Sequence, residues 1–190
     1  MRGVERVFRS PYELRANQRA GRFRGGCWRK GWLMANRSSV RSERDEVARA
    51  VRELALPASE FRILSGQEAT PILSGIEAHF VKEAGRRWWW EAFQDVPTAQ
   101  THFPDGTGWR HLNRIVPPKS GLVWFVVESD PAFVLCEATV EAVQSVIGEC
   151  WAFEYYVVSR SLNWLVCENH SDVIIAIGEA VAERLAQVAS

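Results

Sequence analysis

The sequence predicts an α+β protein in which N-terminal helices precede a ββαββα unit, its two hairpins forming a four-stranded, mainly antiparallel sheet. Three observations carry this. Residues 122–127 (LVWFVV) are apolar at every position, as a strand covered on both faces must be. Residues 155–158 and 164–167 repeat that pattern around the turn Ser159-Arg160-Ser161-Leu162. Val140, Val143, Val146 and Ile147 recur at helical spacing between the hairpins, and Ile174, Ile177, Val181 and Leu185 recur after them.

Taken in order, the first helix signal is Ser42, with an acid, Asp45, three residues on in capping-box position. Val47, Ala50, Val51 and Leu54 follow at helical spacing until Pro57 stops the helix. Residues 61–64 are a short extended candidate. Thr70-Pro71 reads as N-cap and first helical residue, Ile72, Ile76 and Phe80 as the buried stripe, and Gly85 as the stop. The triplet Trp88, Trp89, Trp90 follows. Consecutive helical residues point about 100° apart, so one buried stripe cannot take all three rings. At least one is expected at the core margin or the surface, and the three are the candidate partner-binding residues, with coverage by loops as the structural alternative.

Residues 94–120 are rich in proline and turn residues and read as loop, with one helical turn within 109–115. Asp130-Pro131 turns the first hairpin, and 133–137 returns as its second strand. Thr139 caps the middle helix, with Glu141 near its positive end. Ser171 or Asp172 is expected to cap the last helix.

The formal net charge of zero conceals two unlike parts. Residues 1–33 carry nine Lys and Arg against two acids, with no apolar period, and are expected to form no packed structure. A nucleic-acid arm and an organelle transit peptide are alternatives for this stretch. The reading adopted is a basic extension upstream of a true start at Met34, where the composition breaks. Residues 34–190 then form a single domain with 14 basic and 21 acidic side chains, a net charge of −7. That balance disfavours nucleic acid and anionic membranes as partners and favours a basic protein. The longest apolar runs fall far short of the roughly 18 residues that a membrane span needs. The four cysteines show no CxxC pair and no zinc-like spacing with histidine, so reduced thiols and a cytoplasmic location are expected.

No phosphate-binding loop, dinucleotide fingerprint, nucleophile elbow or zinc-protease motif is present, and no cofactor or metal is expected. The densest set of capable side chains is Glu168-Asn169-His170-Ser171-Asp172, at a predicted strand end leading into a helix. Its catalytic candidates are Glu168, His170 and Asp172. His170 would serve as general base or metal ligand, Glu168 as carboxylate, with Glu128 or Glu137 nearby if their strands are neighbours. The structural alternative has Asp172 or Ser171 capping the helix, Asn169 turning the chain and His170 fixing the corner. Trp151, Tyr155, Tyr156 and Trp164 are read as core or sheet-face packing, with an aromatic ligand platform as alternative, and Trp124, Tyr155 and Trp164 would line a small-ligand module.

Three segments, 123–128 (VWFVVE), 153–159 (FEYYVVS) and 164–172 (WLVCENHSD), resemble those of a family of small bacterial proteins of unassigned activity, over about 86–178. The resemblance implies a bacterial cytoplasmic protein and transfers no catalytic residue. The leading expectation is a non-enzymatic, acidic interaction module, in one form an immunity protein that neutralises a toxin. A metal-dependent or His/carboxylate hydrolase built on His170 and Glu168 is the second, and a small-ligand binding module the third.

Overall fold

A strand that is apolar at every position is stable only with cover on both sides, and two such runs pair best in the middle of a sheet. In the computed structural model, which describes residues 42–94, 98–150 and 153–189, β3 (Val123–Val127) and β5 (Tyr155–Val158) lie side by side in antiparallel register, Val127 opposite Tyr155. Around them, β1 (Phe61–Ile63), β4 (Val134–Ala138), β6 (Leu165–Glu168), β7 (Val173–Ile177) and β2 (Thr98–His102) complete the order β1-β4-β3-β5-β6-β7-β2, every pairing antiparallel.

Side-chain alternation divides the core in two. Phe125, Val127, Cys136, Tyr155, Val157, Val166, Ile174 and Ala176 face a layer formed by α1 (Glu43–Glu53), α3 (Leu112–Ile115), α4 (Val140–Glu149) and α5 (Glu179–Val188). Val126, Leu135, Tyr156, Val158, Leu165, Cys167 and Ile177 face α2 (Gly66–Phe80) and a 3-10 turn, Trp89–Ala92. The result is three layers with the sheet in the middle. Among the described residues, no helix is long and apolar enough to cross a membrane. The basic extension, its boundary at Met34 and Trp151 lie outside the described residues.

The expected four-stranded sheet is corrected to seven strands. Residues 173–177 are not the start of the last helix; they form β7, hydrogen-bonded to β6 on one side and β2 on the other. Ile174 and Ile177 fit a helical spacing, but β-branched residues fill the run and Gly178 ends it at φ 100°, a conformation that suits glycine. Only Val181 and Leu185 of the expected stripe belong to α5, whose N-cap is Gly178 rather than Ser171 or Asp172. The strand β2 corrects the loop expected over 94–120; its Thr-Ala-Gln-Thr-His sequence has no apolar alternation to mark it. As an edge strand it is held by its backbone ladder instead. The third addition, β1, is the short extended candidate, paired with β4.

At the helix ends, Ser42 and Thr139 cap α1 and α4 by accepting from Asp45 N–H and Ala142 N–H. The helix expected from Thr70-Pro71 begins earlier, at a Ser65/Glu68 capping box, with Pro71 inside it.

The break between β7 and α5 is testable at Gly178, where an added Cβ would lie 2.6 Å from Asn163 O in a backbone region that L side chains avoid. Gly178→Ala is expected to lower unfolding stability by roughly 1–3 kcal/mol in urea titration. Gly66→Ala, with open space around the new methyl, should change it by less than about 0.5 kcal/mol.

Candidate functional site: a buried acid pair under an aromatic edge

Antiparallel pairing sets the end of one strand against the start of its neighbour. Glu128 directly follows β3 and Glu154 directly precedes β5, and Glu128 N–H donates to Glu154 C=O at 3.0 Å. Both side chains point to the α2 side of the sheet, and both are buried, at 8% and 3% exposure. Across β5, Tyr155 pairs with Glu168, so the β6–β7 turn that follows Glu168 lies beside Glu154. Asn169 builds that turn: its Oδ1 accepts from Ser171 N–H and Val173 N–H, and Asp172 takes a positive φ of 61°.

The turn delivers His170 onto Glu154 by two bonds to one oxygen. His170 N–H donates to Glu154 Oε1 at 3.0 Å, and His170 Nδ1 lies 2.5 Å from the same oxygen. Trp90 Nε1–H donates to Glu154 Oε2 at 3.3 Å. On the outer side, Arg87 Nε–H donates to Glu128 Oε1 at 2.7 Å.

The tryptophan triplet forms the rim. Trp89 is 1% exposed; its N–H donates to Tyr156 Oη at 3.1 Å, and its ring meets Phe133 and Tyr156. Trp88 and Trp90 turn the other way, with ring centroids 6.0 and 5.4 Å from the His170 ring. Trp88 is 38% exposed. The three rings therefore diverge as the 100° argument requires, although the segment is a 3-10 turn and not an α-helix.

Two carboxylates buried side by side do not both ionise readily. Burial first, then hydrogen bonding to Glu154, pushes the Glu128 carboxyl up to about 8 against the opposing pull of Arg87. Burial also acts to raise Glu154, but the bonds it accepts from Glu128, from the His170 backbone and ring, and from Trp90 outweigh it and hold Glu154 below the ordinary carboxylate range. The pair thus keeps one proton near neutral pH, on Glu128. Glu128 Oε2 is buried with no donor from the protein, so that proton is what satisfies it. Burial raises the Cys136 and Cys167 thiols, which makes both poor nucleophiles.

The sequence candidates are only partly brought together. His170 and Glu128 join the cluster. Glu168 faces the opposite side of the sheet, where its Oε2 accepts from Tyr155 O–H at 2.9 Å. The backbone of Asp172 closes the turn, its C=O accepting from Phe103 N–H at 2.8 Å. Glu137 lies away from the cluster, bonded to Arg62 and Arg160. No helix starts at His170; a carboxylate sits there instead. Trp124 falls on the α2 side, and Tyr155 and Trp164 on the other, so the three do not line one pocket. Sequence reasoning missed Glu154 and Arg87. The available signal for Glu154 was an acid abutting each of two all-apolar strands, at ends that antiparallel pairing makes neighbours. Among the described residues, no group of three or more His, Cys, Asp and Glu is placed to hold a metal ion.

Fold and site together define a three-layer protein with an antiparallel sheet and a buried acid pair under a Trp–His–Arg edge. The chain belongs to a family of unknown function, DUF6756, whose model matches residues 39–189. No curated protein and no solved structure matches it.

Because the folded-state pKa of Glu128 lies above its ordinary value of 4.5, the folded state binds this proton more tightly than the unfolded chain. Its contribution to stability is full below about pH 4.5 and is lost as pH rises through about 8. Glutamine would keep a donor toward Glu154 and an acceptor for Arg87 without titrating. Urea unfolding at about pH 6 and about pH 9 should show wild type losing on the order of 1–3 kcal/mol more than Glu128→Gln between the two.

Proposed function

We propose that this protein is a non-enzymatic interaction module whose docking face is the Arg87–Trp88–Trp90–His170 edge, and that its partner is a basic protein. The observation that carries this reading is Trp88, the exposed large hydrophobic side chain among the described residues. It stands among arginine, histidine and a second tryptophan, and tryptophan and arginine are the residue types that dominate binding energy in interfaces. The net charge of −7 over residues 34–190 supports a basic partner, because complementary fields steer association. A bacterial cytoplasmic role of the immunity type, in which an acidic protein neutralises a basic toxin, is the form of this reading that the net charge favours.

A second reading has its own observation. His170 Nδ1 held on buried Glu154 is the arrangement that orients an imidazole as a general base, with Nε2 as the reacting nitrogen. In a hydrolase of the His/carboxylate kind, Glu154 would take the part that the sequence suggests for Glu168.

Immobilised full-length protein should retain a basic protein from lysate at low salt and release it as ionic strength rises. Trp88→Ala should weaken retention at least about tenfold, the loss of roughly 1.4 kcal/mol or more expected of an anchor residue. Retention of nothing basic, or equal retention by Trp88→Ala, would refute the interaction reading. His170→Ala with unchanged retention but loss of a measurable hydrolytic activity would favour the second.

A further inference from the structure

Resting on the interaction reading, we infer that the Glu128–Trp88 site is a receptor for an arginine side chain of the partner, and that Arg87 occupies it in the free protein as an internal stand-in. Three observations at the site converge on a guanidinium.

The first is an imbalance of burial. Glu128 is 8% exposed, yet the cation bonded to it is 64% exposed and hangs from residues 82–88, all of them exposed. A buried carboxyl is thus matched from outside by an arm on an irregular surface segment and not by a group packed into the core.

The second is an oxygen met by a proton and by no donor group. Arg87 reaches Glu128 Oε1 through Nε alone, while Oε2 is buried without a protein donor. A guanidinium can bond both oxygens of a carboxylate through two parallel N–H donors. One that enters end-on satisfies both and takes the place of the proton that Glu128 otherwise shares with Glu154. Arg87, anchored one residue from Trp88, presents only its Nε edge.

The third is the aromatic wall. Arg87 Cζ stands 6.0 Å from the Trp88 ring centroid, at the outer limit of a cation–π contact. Arg160 over Trp124 and Arg110 over Trp109 stand at 4.9 and 5.2 Å, so this chain does make closer Arg–Trp stacks elsewhere. Trp88 therefore keeps an exposed ring with a loosely placed cation over it. A buried carboxyl plus a partly exposed tryptophan ring suits a planar guanidinium better than a compact ammonium, because the plane stacks while its edge donates.

The test uses arginine amide and lysine amide as probes, with full-length protein and tryptophan fluorescence as the readout. Removing the stand-in should open the site: Arg87→Ala is expected to bind arginine amide about tenfold more tightly than wild type does, and more tightly than it binds lysine amide. Adding Glu128→Gln to Arg87→Ala should abolish that gain. If Arg87→Ala does not fold, Arg87→Met, which keeps the aliphatic stem but no donor toward Glu128, carries the same comparison. Equal binding of the two amides, no gain on removing Arg87, or a gain that survives Glu128→Gln overturns the inference. Arginine-selective binding in the absence of any basic partner refutes the interaction reading and leaves the receptor site standing. Partner retention without arginine selectivity refutes the site alone.

Discussion

The antiparallel pairing of β3 with β5 is the constraint on which the rest depends. Both strands are apolar on both faces, so each needs a covering layer above and below. That need accounts for α1, α3, α4 and α5 on one side and for α2 with the Trp89 turn on the other. The same pairing brings the end of β3 against the start of β5 and so places Glu128 beside Glu154. Fold and candidate site are two outcomes of one register. A slip of β5 by one residue would turn Tyr156 toward the wrong core and carry Glu154 away from Glu128 and His170.

The electrostatics of the edge follow from that placement. Of two buried acids, the one that receives more hydrogen bonds keeps its charge, and the other keeps the proton. Glu154 has the His170 backbone, the His170 ring and Trp90; Glu128 has Arg87. Position in the sheet thus decides which carboxyl is which. The β6–β7 turn serves Glu154, while the exposed 82–88 segment serves Glu128. The rings of Trp88 and Trp90 stand where these two supports meet, next to His170.

The sequence was most legible where burial was two-sided. The strands around 122–127, 155–158 and 164–167, and the caps at Ser42 and Thr139, follow from local composition, and the structure places them there. Legibility failed at β7 because Ile174, Ile177, Val181 and Leu185 satisfy a helical spacing across a strand–helix boundary, and Gly178 was the unread punctuation. At β2 it failed because Thr98–His102 is a polar edge strand stabilised by its backbone, which composition does not report. His170 stands out in the sequence as a candidate side chain in the 168–172 cluster. Its partner does not, since Glu154 lies 16 residues away and becomes a neighbour only through the β5–β6 hairpin. Glu168 looked like the partner because it is near in sequence, but strand alternation sends it to the opposite face.

The acid pair bears on whether this edge is merely structural. If Glu128 served only to finish the sheet, glutamine would serve better. Its amide would donate to Glu154, its carbonyl would accept from Arg87, and no proton would have to be taken up on folding. A carboxyl at this position instead leaves an oxygen that only a proton or an added donor can satisfy, beneath an exposed tryptophan. A buried acid left without either would cost stability. What the carboxyl provides and glutamine cannot is a negative charge that becomes available when a cation arrives. For the proposed arginine receptor, this is the physical reason that a carboxyl rather than an amide suits position 128.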